Sequence, residues 1–136
     1  MTIKLDGLEN HQELEVAVSG PEGADRLFIY TGIAVLNFKG ESVHHWKRDT
    51  ITFLVGRNFG AGQFRRATAS AALASIYNDN VSNDAGWAVD SVDADWDDES
   101  KKVQVKADLA VRDTDGYIYR ISYEVFVLAR TRGEKS

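Results

Sequence analysis

The stretch WAVDSVDADWDDESKKVQVKADLAVRDTDGYIYRISYEVFVLAR, Trp87 to Arg130, carries the clearest structural signal in the chain. Val103, Val105, Ala107, Leu109 and Val111 fall at every second position, as do Tyr117, Tyr119, Ile121, Tyr123, Val125 and Val127. Successive side chains of a strand point to opposite sides, so alternation of this length marks strands with one buried face. Trp87 and Val89 share one parity, whereas Val92, Ala94 and Trp96 share the other. Asp90 shares the second parity and on that reading points inward; the alternative is a bulge around Asp90 and Ser91, where one extra residue flips the face. The stretch predicts a three-stranded antiparallel meander.

Charge and shape assign its register. With Asp98-Glu99-Ser100-Lys101 as the first loop, Trp96 lies opposite Val103, Ala94 opposite Val105, Asp97 against Lys102 and Asp93 against Lys106. Such opposite-charge pairs contribute about 0.2 to 1 kcal/mol each. They make the acidic run Asp90, Asp93, Asp95, Asp97, Asp98 and Glu99 the solvated side of a strand. Asp113-Thr114-Asp115-Gly116 predicts a second hairpin, with Gly116 supplying a positive φ. That turn pairs Val111 with Tyr119, Leu109 with Ile121, Ala107 with Tyr123, and Lys106 with Glu124.

Upstream, Leu14 to Ser19, Leu27 to Phe38 and Thr50 to Phe59 are apolar stretches bounded by Gly20-Pro21-Glu22-Gly23 and Lys39-Gly40-Glu41-Ser42. Both parities of the second are apolar, so a strand covered on both faces is expected there, bent or bulged at Gly32. Between the strand sets, Gln63 to Tyr77 predicts a helix. Ala69, Ala72, Leu73 and Ile76 make one helical stripe, and Phe64, Ala67, Ala71 and Ala74 an adjoining one. The expected fold is α+β and mostly antiparallel: three strands, one central alanine-rich helix, then the meander, as a curved sheet, barrel or sandwich packed with one helix. A single domain over residues 1–136 is expected, with 130–136 a charged, mobile tail.

Composition narrows the function classes. The chain of 136 residues is 43% hydrophobic and 27% charged, which describes a soluble globular protein. A net charge of −5 argues against general affinity for nucleic acid or anionic membranes. The absence of cysteine excludes disulfides, thiol catalysis and cysteine-ligated metal centres. Met1 to Leu14 lacks the apolar run of a signal peptide, so a cytoplasmic or virion-associated location is expected.

Candidate sites fall into two sets. Asp90, Trp96, Tyr117, Tyr119 and Tyr123 share the expected inner face of the meander and are candidates for a ligand pocket. His45, Trp46, Lys47 and Arg48, with Arg65 and Arg66, are candidates for partner binding, because Trp and Arg dominate interface hot spots. Arg57 joins that basic set near the expected helix start, and acidic partners for it are anticipated. Adjacent His44 and His45 point to opposite sides of an extended segment, and Asp93, Asp95 and Asp97 lack the glycine and closing glutamate of a calcium loop. No metal and no cofactor are expected. Asn80-Val81-Ser82 matches a glycosylation sequon by pattern alone.

Without a convergent catalytic set, the expected function is a non-enzymatic assembly or binding module, homo-oligomeric or bound to a protein partner. The alternative is a small-ligand domain with its pocket between the helix and the meander. That strand-helix-strand order resembles the hot-dog-like and other cone-shaped α+β folds, which implies acyl or aromatic ligands beside a central helix. The segment from Gly62 to Asn78 has no acidic residue, so it offers no carboxylate base.

Overall fold

A computed structural model describes residues 2–18, 25–42, 44–78 and 84–130. The predicted Gly20–Gly23 turn, the sequon and the tail beyond Arg130 lie outside the described residues. Eight strands follow in chain order: β1 (Thr2–Ile3), β2 (Gly7–Val18), β3 (Asp25–Lys39), β4 (Trp46–Val55), β5 (Phe64–Asn78), β6 (Gly86–Trp96), β7 (Val103–Arg112) and β8 (Gly116–Arg130). They form two four-stranded sheets, the first in the order β1-β4-β7-β6 and the second β2-β3-β8-β5. All pairings are antiparallel except the short β1–β4 contact.

One core joins the inner faces as in a sandwich. Phe28, Tyr30, Leu36 and Phe38 of β3 meet Ile51, Phe53 and Val55 of β4, the alternating residues Val103 to Val111 of β7, and Ile121, Val125 and Val127 of β8. The buried parities of β7 are those expected from its alternation, and the β6–β7 register is also as expected. Trp96 pairs with Val103, Ala94 with Val105 and Asp93 with Lys106, and the register breaks between Val89 and Ser91.

The expected α+β class is overturned, because there is no helix among the described residues. The alanine-rich stretch is β5, paired with β8 from Phe64 to Asn78. Its half-buried residues Ala67, Ala69, Ala71 and Leu73 alternate with exposed Arg66, Thr68, Ser70 and Ala72. Small side chains at both parities hide a period of two and imitate helical stripes. Pairing along the whole strand, with Ala67 to Leu73 packed against the core, overrides alanine's intrinsic helix preference.

The three-stranded meander is also corrected. β7 and β8 belong to different sheets, so Asp113–Gly116 is a sheet-to-sheet crossing and not a hairpin. Asp113, not Gly116, takes the positive φ (84°) and is buried. Its amide donates to the Ser42 carbonyl, and the Gly40 amide donates to the Gly116 carbonyl. The β3–β4 and β7–β8 crossings thus run side by side and satisfy each other's backbone groups. Lys106 lies between Asp93 and Thr52 instead of facing Glu124.

β3 is buried on its inner face and half-exposed on the outer one, so it is not covered on both sides as expected. The bulge falls between Val35 and Phe38, not at Gly32. Gly32 instead pairs with Tyr123, and a Cβ there would lie 2.7 Å from the Tyr123 Cζ. The bare backbone makes room for the ring.

Candidate functional site

β2 decides where chemistry and contacts concentrate. It is hydrogen-bonded to β3 along one side and is exposed from Glu9 to Ala17, because the first sheet does not extend over it. A bulge between Glu9 and Gln12, with Asn10 at φ 55°, turns His11 toward the core. His11 Nδ1 lies 2.7 Å from the Tyr123 hydroxyl, and its ring stacks on Tyr30 at 5.6 Å with an interplanar angle of 11°.

Further along, Glu13 receives a forked pair of bonds from Arg57, at 2.6 Å from Nη2 and 3.1 Å from Nε. Glu15 is bridged by Arg26 at 3.4 Å and by Arg57 at 3.7 Å. The Arg57 guanidinium also lies 4.7 Å from the Phe28 ring centroid. Arg57 thereby fills the space beneath β2 that the first sheet leaves open. Its hydrogen bonds hold the Glu13 carboxyl below the usual range. Burial, and then the bond to Glu13, push the Tyr30 phenol far up, while burial alone pushes Tyr123 up to about 12. Both phenols are neutral at physiological pH and serve as anchors for β2.

On the opposite face, the second sheet presents apolar rows to solvent. Val16, Leu27 and Leu128 lie side by side, and so do Leu14, Ile29 and Phe126. Leu14 is 58% exposed and Val16 40%. The next rows are hydroxyl-rich: Thr31, Ser70 and Ser122 beside Glu124 line a shallow groove of about 380 Å³.

The five residues expected to line one pocket are dispersed. Asp90 is on the outer face of the first sheet, 3.2 Å from Arg48, beside Asp49, Thr50 and Asp108 in a groove of about 310 Å³. There Asp108 accepts from Thr50 at 2.6 Å and from Ser91 at 2.7 Å, bonds that lower its carboxyl pKa. Trp96 stacks on Phe64 and donates its Nε1 hydrogen to the Phe59 carbonyl. Tyr117 and Tyr119 stack at 5.4 Å, with Tyr77 beside them. Tyr123 alone is in the core. Among the described residues there is no helix against which the expected helix–meander pocket, or the hot-dog-like likeness, would be built.

The basic candidates do not gather at a helix start but are spread over β4, β5 and the segment between them, where they pair with acids: Lys47 with Glu41, Arg48 with Asp90, Arg57 with Glu13 and Arg65 with Asp25. Arg66 is exposed beside Leu128. His44 and His45 are exposed in the turn before β4, and Trp46 lies over Gly86. Among the described residues, no group of three or more His, Asp or Glu is placed to hold a metal ion. None of the described segments is a helix long and apolar enough to cross a membrane.

Sequence reasoning missed His11, Glu13 and Tyr30. The available signal was the run Glu13-Leu14-Glu15-Val16, whose alternation puts both carboxylates on one face and both apolar residues on the other. No protein-family model, curated protein or solved structure matches the chain.

Proposed function

We propose that the chain is a non-enzymatic assembly module that associates with itself through the second sheet. The observation that carries this reading is the inverted polarity of β2. Its carboxylates and imidazole face the protein, while Leu14 and Val16 face solvent and extend the half-exposed row of Leu27, Ile29, Phe126 and Leu128. A strand placed this way buries little apolar surface in the monomer, yet ordering it costs about 1 to 2 kcal/mol per residue in backbone entropy. An apolar patch on a sheet face gains by being covered, at about 25 cal/mol per Å² removed from water. The polar groups beneath β2 act as structural anchors in this reading, because each has a protein partner. A cytoplasmic or virion-associated location belongs to the same proposal.

Native mass spectrometry of the purified chain tests it. The expected spectrum is a defined oligomer of bare subunits, and Leu14→Lys shifts it toward monomer without altering the circular dichroism spectrum. A wild-type monomer carrying a stoichiometric small molecule would overturn the reading.

A further inference from the structure

The four lateral boundaries of the two sheets are not equivalent. β6 carries a bulge at Asp90 and a line of carboxylates, Asp93 and Asp95 among them. β5 breaks register at three places and carries Arg65 and Arg66 next to its first residue, Phe64. β4 is capped in part by β1 and holds Lys47 and Arg48. Bulges, cations and covering segments are the devices that keep sheet edges from pairing with other chains. β2 uses such a device only at its start, the bulge at Asn10. From Gln12 to Val18 it runs without a register break, proline, lysine or arginine. Its two charges are already bound by Arg57 and Arg26.

We propose that this open edge pairs with the β2 edge of a second copy, antiparallel about a two-fold axis, giving one continuous eight-stranded sheet. The inference rests on the self-association proposed above and names its geometry. In a continuous sheet, a residue must face a partner of the same parity, so that apolar faces stay together. Registers centred on Leu14 or on the Glu13 position set carboxylate against carboxylate, as does one centred on Glu15. Like charges directly opposite are destabilising. Centring on Val16 removes every such clash: Val16 faces its own copy, Leu14 faces Val18, and Glu15 faces Ala17. The apolar rows then run across the seam, and Arg57 and Arg26 of both copies flank the carboxylates on the other face. A register centred on Ala17 also avoids the clash but leaves Leu14 without an apolar partner among the described residues. Val16 is therefore the residue on the axis.

The chain has no cysteine, so single-cysteine variants report the register directly. Directly opposed residues of an antiparallel pair have Cα atoms about 4.5 to 5.5 Å apart, within disulfide reach. Under mild oxidation, Val16→Cys should form a disulfide dimer and Leu14→Cys alone should not, whereas mixed Leu14→Cys and Val18→Cys should cross-link to each other. Val16→Lys should raise the dissociation constant at least about tenfold in sedimentation equilibrium while leaving the circular dichroism spectrum unchanged. An oligomer that ignores Val16→Lys and gives no cross-link at Val16 would overturn the edge pairing and leave self-association through another surface standing. Cross-linking through Glu15→Cys in place of Val16→Cys would overturn the register. A strict monomer at every concentration would overturn both proposals.

Discussion

Replacing Gly56 by alanine tests the packing beneath β2 at its tightest point. Gly56 follows β4 with φ at 76°, in the left-handed region where an added Cβ costs about 1 to 2 kcal/mol. Its Cα also lies under the Tyr30 ring: a Cβ would sit 2.6 Å from Cε2, 2.7 Å from Cε1 and closer still to Cζ. That ring has nowhere to go, because it is fully buried, stacked on His11 at 5.6 Å and on Phe28 at 6.4 Å. Overpacking of a rigid site adds about 1 to 3 kcal/mol. The smaller entropy of the unfolded alanine chain returns about 0.4 to 1 kcal/mol. The net expectation is a loss of about 3 kcal/mol, or roughly 10 °C in Tm for a domain of this size. Urea denaturation followed by tryptophan fluorescence measures it. Gly62→Ala is the control, since nothing lies within 4 Å of its Cβ position, and it should fall within about 0.5 kcal/mol of wild type. In a Tyr30→Leu background, Gly56→Ala should retain only the backbone cost, a coupling of about 2 kcal/mol. A Gly56→Ala variant within about 1 kcal/mol of wild type, or one equally costly in both backgrounds, would refute the ring contact.

Two further expectations concern titration. Tyr123 ionises at about 12 in the fold against an ordinary 10.0, and Tyr30 higher still, so stability from their burial is present below pH 10 and lost as pH rises through the folded values. Phenolate absorbance should show late steps that coincide with unfolding and that Tyr30→Phe and Tyr123→Phe each remove; both variants keeping the late steps would contradict the burial. Glu13 has the opposite sign: its folded pKa is depressed by Arg57, so its contribution is present above about 4.5 and fades as pH falls through the folded value. Glu13→Gln should cost about 1 kcal/mol at neutral pH, a value reduced for the half-exposed guanidinium, and nothing measurable in strong acid. An equal cost at both ends of that range would show that the pair is not electrostatic.

Strand faces were more legible than strand partners. Val103 to Val111 and Ile121 to Val127 announce a buried face by alternation, and the Asp93–Lys106 pair with the Asp90 bulge selects one hairpin. The same alternation says nothing about which strand lies alongside: a strand that turns back in its own sheet and one that crosses to the other bury the same side chains. Asp113–Gly116 fits both, and the deciding groups, Ser42 and Gly40, are remote in sequence. β5 failed for a different reason. Alanine fits either period, so its conformation is imposed by the exposed edge of β8, which local sequence does not record. The candidate site suffered from both effects, since Tyr117 and Tyr119 change faces relative to Tyr123 at the irregularity between Ile118 and Ile121.

The position of β8 has a consequence for how the molecule comes into being. It follows all seven of the other described strands in chain order and yet lies between β3 and β5, with Asp25 paired to Arg130. While a ribosome is still extending the chain, the β2–β3 hairpin and the long alanine-rich strand exist without the element that joins them, and their apolar inner faces are bare. Pairings between distant segments close slowly, and exposed strand edges in that interval invite other nascent copies. Translational pauses placed between the codons of β5 and β8 should therefore lower the soluble yield of this protein more than equal pauses placed before β2.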